Sequence, residues 1–159
     1  MQPDSKIILT AQRALSKSDP VMKQLIKRSA TFALQPDPVQ SPFEALTRAV
    51  ASQQLHGAAA EAILGRFTAL VPEKLFPDPE DVAQLADDQI RSAGFSRSKI
   101  LTIRDLAEKV IQGIVPSHEE INTKEDDDII ARITQVRGIG RWTVEMLLIF
   151  KLGRMISDL

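Results

Sequence analysis

VRGIGRWT, residues 136–143, sets two glycines one residue apart and follows them with an arginine and the chain's only tryptophan. The apolar run VEMLLIF, 144–150, comes next, and DDDIIARI, 126–133, comes before. That preceding segment carries its acids at the front, where a helix dipole favours negative charge, and its isoleucines at helical spacing. Two helices therefore flank the glycine pair, and the unit reads as helix–hairpin–helix. Glycine opens backbone angles closed to other residues and removes Cβ atoms from the outer surface of a turn. The second helix would open on amides with no carbonyl one turn back, at the positive end of its dipole. A phosphate oxygen could approach there, with Arg137 and Arg141 flanking and Arg132 one turn earlier. Contacts of that kind position nucleic acid without reading its sequence. The plainer alternative is a tight connection whose glycines serve only close packing, and the hairpin by itself leaves both readings open.

The same grammar runs through the rest of the chain. Ile7, Ile8, Ala11, Ala14 and Leu15 share one helical face. Asp19-Pro20 supplies an N-cap and a first-turn proline ahead of the stripe Val21, Met22, Leu25 and Ile26. Pro36 and Pro38 mark a linker. Ser41-Pro42-Phe43-Glu44 reads as a capping box, and its helix carries Phe43, Leu46, Ala49 and Val50. An alanine-rich helix spans 58–70. Asp78-Pro79 and Asp87 open short helices, the second ending near Gly94. Ser96 starts a long helix with Ile100, Ile103, Leu106, Ala107, Val110 and Ile111 on one side, stopped by Gly113 and Pro116. Ser117 and Glu120 repeat the capping pattern, leaving His118 at the surface. No strand pattern, repeat or low-complexity tract appears. The expectation is an all-α protein of about nine or ten short helices.

Composition narrows the function classes. The chain has 159 residues, 43% of them hydrophobic and 26% charged, with a net charge of −1. That suits one domain or two small lobes, and it argues against a wholesale polyanion binder while permitting a local basic patch. Absence of cysteine excludes disulfides, thiolate metal sites and iron–sulfur clusters. Two histidines are too few for a zinc site without carboxylate help. No segment reaches the roughly 18 apolar residues of a membrane span. The N-terminal stretch lacks the pattern of a secretory signal.

GIGRWTVEMLLIF, 138–150, resembles the helix–hairpin–helix signature of the 3-methyladenine DNA glycosylases. SPFEALTRAVASQQLHGAAAEAILGRF, 41–67, resembles their helix pair around a Gln-Gln element, and AGFSRSKILTIRDLA, 93–107, matches in type and order. The blocks keep the family's order over residues 5–154, closest to the bacterial and fungal alkyl-purine branch. The resemblance implies two all-helical lobes with a cleft between them and the hairpin at its edge. An N-terminal segment, 1–40, would belong to the first lobe, and 41–159 would form the core lobe, with the hairpin unit at 129–152. A cytoplasmic place in a bacterium, or a nuclear one in a fungus, goes with it.

The implied activity is hydrolysis of the N-glycosidic bond of alkylated purines such as 3-methyladenine in double-stranded DNA. The target base must leave the stack first, and a side chain must fill the gap. The resemblance gives the wedge to Gln54, with Leu55 and His56 beside it. The bland alternative makes Gln53 and Gln54 helix caps and Leu55 core, and it is preferred for Gln53. Gly138, Ile139, Gly140, Arg141 and Thr143 would hold the DNA strand. An alkylated purine is cationic, so an aromatic face can hold it by cation–π attraction. Trp142 is the candidate, with core packing as its bland alternative; Phe43 and Phe95 read better as core. Bifunctional relatives carry a Schiff-base lysine where this chain has Trp142, which implies a monofunctional enzyme. No cofactor is required, although the carbonyls of Thr134, Val136 and Ile139 could coordinate a monovalent cation.

One element departs from the pattern. The family's catalytic aspartate lies about twenty residues beyond the Trp142 position, within an Asp-Asp pair, by resemblance and not by any spacing rule. Here only Asp158 is available, some four positions short. Either the loop is shortened and Asp158 stands in, or Asp158 is unrelated and the scaffold binds damaged DNA without cleaving it. A helical protein whose Gly-x-Gly is only a turn is the third reading. A missing C-terminal segment would leave apolar surface on Ile7, Leu15, Leu25 and the Phe150 end of the last helix, with lowered stability or self-association as the expected consequence.

Overall fold

The computed structural model describes residues 5–29 and 41–154. Among them every regular element is helical: α1 Ser5–Ser18, α2 Pro20–Arg28, α3 Pro42–Ser52, α4 Gly57–Thr68, α5 Pro79–Gln84, α6 Asp87–Ser92, α7 Arg97–Ile111, α8 His118–Ile121, α9 Asp126–Ile133 and α10 Arg141–Phe150. The all-α expectation holds.

Most helices start where a short polar side chain can take an orphan amide. Asp19 accepts from Val21 at 2.6 Å and Met22 at 3.3 Å ahead of Pro20. Asp78 with Asp81, and Ser117 with Glu120, each close a reciprocal capping box. Ser96 caps α7 through the Lys99 amide. Two starts differ from expectation. Ser41 accepts from the Glu44 amide at 3.1 Å, but the Glu44 carboxylate turns one helical turn onward to Arg48 Nε at 2.9 Å, so only half the box forms. Asp87 does not cap α6. Ala86 holds the cap position and its amide donates to Gln89 Oε1 at 2.7 Å, while Asp87 meets the Arg104 guanidinium at 2.9 Å. A charged partner on a neighbouring helix wins over the local cap because a charge-assisted hydrogen bond is the stronger of the two.

α7 is the spine: α3, α5 and α6 pack on it, and α10 packs on α9 and α3. The core is built from the apolar faces read in the sequence. Leu46 and Val50 of α3, Ile103 and Leu106 of α7, Ile129 and Ile133 of α9, and Val144 and Leu148 of α10 are all fully buried. Phe67 sits among Phe76 and Phe95, with ring centroids 5.8 and 5.3 Å away in edge-on geometry that suits the ring quadrupoles. Phe43 and Phe95 are core residues, as expected, and so are not candidates for a base pocket.

α1 packs on α2, yet α2 buries none of its residues. The apolar stripe on these helices is therefore not a core face: Ile7, Leu15 and Leu25 are exposed, as is Phe150 at the end of α10. Uncovered apolar surface at those four positions was the expectation. The expected boundary at 40/41 adjoins residues 30–40, which lie outside the described residues.

Candidate nucleic-acid interface

The hairpin is built on α9. Thr134 caps that helix, its hydroxyl donating to the Ile130 carbonyl at 2.7 Å. The turn then dips into the core, burying the Val136 and Ile139 side chains. Ile139 therefore offers a ligand its backbone and not its side chain. The Val136 carbonyl accepts from the Ile139 amide at 3.1 Å and closes the turn.

The two glycines do different work. Gly138 has φ +77°, and a Cβ built there would stand 2.6 Å from Thr102 Oγ1 on α7. That glycine is required for packing and for its left-handed backbone. Gly140 has φ −94° and ψ 169°, angles open to any residue, and a Cβ there would meet nothing within 4 Å. The expectation that both glycines need special angles is thus corrected for Gly140. Gly140 is the N-cap of α10 and brings no side chain to cap it. The positive end of the helix is left uncapped at a position with open space in front of it, which is the geometry an anion needs.

The arginines separate in the same way. Arg132 does not face the hairpin. Its Nε donates to the Ile114 carbonyl at 2.6 Å and its Nη2 to Gly113, so it ties down the turn after α7. Arg141 pairs at 2.7 Å with Glu145, whose carboxylate is buried, while half the arginine side chain stays in solvent. Arg137 is exposed, and its backbone amide donates to Asp105 Oδ2 at 2.6 Å.

Asp105 is a hairpin support that the sequence reading missed. Its Oδ1 accepts from Lys109 Nζ at 2.6 Å. Burial works to raise its carboxyl, yet the Lys109 ammonium and the Arg137 amide outweigh that and hold it below its ordinary 3.8. A depressed folded-state value contributes stability above the unfolded value, lost as pH falls through the folded one. Thermal melts at pH 5 and pH 3 are expected to show a loss on acidification that shrinks in Asp105→Asn. An equal loss in both proteins would show that the ion does not hold the turn.

The second corner ends α3. Gln53 is its C-cap residue, and Gln54 follows with φ +58°, the one non-glycine residue in that region among the described residues. A left-handed side-chain-bearing residue costs about 1–2 kcal/mol, and such strain persists only where the surroundings hold it. Leu55 is 41% exposed rather than core, and His56 is exposed at the N-cap of α4 without capping it. Gln53 does more than cap: its Nε2 reaches the Gly138 carbonyl at 3.4 Å, joining the two corners directly. Lys99 of α7 donates to the carbonyls of Ala51 at 2.8 Å and Gln53 at 2.9 Å, a second support without a local sequence signal. Burial pushes its ammonium below the ordinary lysine value.

Between the corners lies a cavity of about 820 Å³, lined by the end of α3, the start of α7 and one face of α10. Gln54, Lys99, Trp142, Thr143, Met146 and Phe150 are among its walls. Trp142 is 69% exposed, which removes the core-packing alternative for it. Thr143 lines the wall while its amide closes the first turn of α10 on Gly140. Among the described residues no carboxylate lines this cavity, and Asp158 lies outside the described residues. Among those residues, too, no cluster of metal-binding side chains occurs. Of the sequence candidates, Gln54, Trp142 and Thr143 line this cleft; Leu55, His56 and residues 138–141 are not among its walls, and Arg132 turns to the loop after α7.

Comparison with known proteins agrees with this architecture. Residues 47–155 match the family model described as HhH-GPD superfamily base excision DNA repair protein. The chain is similar to DNA-3-methyladenine glycosylase 1 of Schizosaccharomyces pombe, 47% identical over 115 residues, covering 72% of this chain and 50% of that protein. It is similar to the alkylbase DNA glycosidase-like protein mag2 of the same yeast, 32% identical over 146 residues, covering 91% of this chain and 68% of that one. The solved S. pombe 3-methyladenine DNA glycosylase Mag1, in complex with abasic DNA, superposes with a TM-score of 0.79 at 41% identity, over 94% of this chain and 75% of the other. The chain thus spans about half the length of the first of these curated relatives. A family model that covers most of the chain, joined to the paired corners and the helical fold, establishes that the chain belongs to the HhH-GPD superfamily of base excision DNA repair proteins.

Proposed function

We propose that this chain is a monofunctional glycosylase that binds duplex DNA and releases alkylated purines such as 3-methyladenine. The observation that carries the reading is the joining of the two corners across one cleft, Gln53 Nε2 to the Gly138 carbonyl. In this reading the uncapped start of α10 at Gly140, with Arg141 and Thr143, holds a phosphodiester of the damaged strand. Gln54, at the tip of a strained turn and with Leu55 and His56 beside it, enters the minor groove and fills the space the nucleotide leaves. The extruded base enters the cavity against the exposed Trp142 face, which attracts a cationic purine more than a neutral one. An alkylated purine is already a good leaving group, so the chemistry calls for a carboxylate that stabilises an oxocarbenium-like transition state or activates water. Asp158 is the candidate by resemblance. Tryptophan at 142, where bifunctional relatives carry lysine, leaves no amine there for a Schiff base.

The turn at 134–139 would suit a monovalent cation through the carbonyls of Thr134, Val136 and Ile139. The Val136 carbonyl is already engaged by the Ile139 amide, but it keeps a second lone pair. Such an ion would steady the turn beside the phosphate, and no step of the chemistry passes through it.

The absence of a carboxylate among the described walls of the cavity favours a second reading, a module that binds damaged DNA without cutting it. Incubation with duplex DNA carrying 3-methyladenine or 7-methylguanine decides between them. The first reading expects free base and abasic sites. Tight, salt-dependent binding without release would support the second.

A further inference from the structure

One end of α7 grips both corners. Lys99 holds the carbonyls of Ala51 and Gln53, Thr102 Oγ1 lies against Gly138, and Asp105 accepts the Arg137 amide. The three residues are spaced three apart, so they form one slanting strip along two turns of a single rigid helix. Thr102 is itself fixed, its hydroxyl donating to the Ser98 carbonyl at 3.1 Å. The Gln corner and the hairpin are thereby held at a set distance by one element. We infer that Lys99 is a positioning residue: by holding the carbonyls of Ala51 and Gln53 it locks Gln54 in its left-handed conformation, aimed at the duplex in register with the hairpin.

Three observations support this role. Gln54 carries a backbone conformation that side chains disfavour, and its neighbour's carbonyl is the one Lys99 holds. The Ala51 and Gln53 carbonyls that Lys99 takes lie at the negative end of the α3 dipole, where an ammonium is favoured. Lys99 is partly buried and engaged by two acceptors, so little of its charge is offered to a ligand. Its contribution then falls on base opening rather than on capture of the duplex. This inference rests on the proposed function for the part Gln54 plays, but the brace itself can be read without DNA.

The test uses the full chain as wild type, Lys99→Met, Gln54→Ala and the double variant. The probe is a duplex carrying 2-aminopurine beside 7-methylguanine, whose fluorescence rises when the lesion leaves the stack. Salt-dependent affinity for undamaged duplex is measured alongside. Lys99→Met should bind undamaged duplex within about twofold of wild type and with an unchanged salt slope. Its opening signal should fall about tenfold, as should that of Gln54→Ala, and the double variant should lose no more than either single one. Lys99→Arg, which can still donate to both carbonyls, should recover most of the signal. Losses that add, an undiminished signal in Lys99→Met, or a salt slope lower by about one would each overturn the role, the last by making Lys99 a phosphate contact.

Amide exchange without DNA separates this inference from the reading beneath it. Residues 53–56 should exchange about tenfold faster in Lys99→Met while 137–140 keep their protection. Unchanged exchange at 53–56 would remove the brace even if the wild type opens DNA. A wild type that opens nothing, with exchange altered as expected, would leave the brace standing and sink the function assigned to Gln54. Should the methionine variant fail to fold, Lys99→Gln keeps one donor pair, and an opening signal between wild type and Gln54→Ala is then the expected result; a full wild-type signal would contradict it.

Discussion

Gly138→Val is expected to destabilise the protein by about 2–5 kcal/mol and to abolish its binding to duplex DNA. The figure joins two costs. A β-branched residue at φ +77° is strained whatever the space around it. The new side chain must also displace Thr102, whose hydroxyl is tied to Ser98 and cannot simply swing away. The turn would open, and with it the Gln53–Gly138 link. Gly140→Asp should behave in the opposite sense. Its backbone angles suit any residue, the space is open, and aspartate is among the best N-cap residues, so α10 should gain roughly a few tenths of a kcal/mol. Thermal or urea unfolding of the two variants checks both signs. A mild Gly138→Val would mean that the hairpin is more pliant than its contacts state.

Asp158→Asn is expected to reduce release of 3-methyladenine on the order of 100- to 1,000-fold, the range typical of removing one electrostatic stabiliser of a transition state. Amide and acid have nearly the same shape, so binding to damaged duplex should stay within about twofold. Single-turnover release, with affinity measured on the same DNA, separates the two quantities. An undiminished rate would assign the chemistry to another group. Among the described residues the buried carboxylate nearest the hairpin in sequence is Glu145, which is engaged by Arg141 and does not line the cavity, so it offers no ready substitute.

Much of the fold was legible because its signals are local. Asp19-Pro20, Asp78-Pro79, Ser96 and Ser117 start helices as expected, since a cap needs only residues two or three apart. Ala86 and Asp87 show the limit: a distant arginine recruited the aspartate and a glutamine took over the amide. The candidate site came from a different source, a resemblance that pointed to 53–56 and 138–143 together. Its supports were not. Lys99 reaches back 46 and 48 residues and Asp105 reaches forward 32, and such pairs leave no periodic trace. Thr102 did leave one, a polar residue on the buried face beside Ile103 and Leu106. The division of labour between Gly138 and Gly140 was beyond the sequence as well, because only the approach of α7 tells the packed glycine from the open one.

In the proposed function the uncapped start of α10 takes a phosphate of the duplex. Affinity for duplex DNA, measured over a range of salt for the wild type and for Gly140→Asp, tests it most directly. The wild type should weaken steeply as salt rises, and Gly140→Asp, although more stable, should bind on the order of 10- to 100-fold less tightly because its carboxylate occupies the place of the phosphate. A Gly140→Asp protein that binds as tightly as the wild type would rule out a phosphate at that helix start.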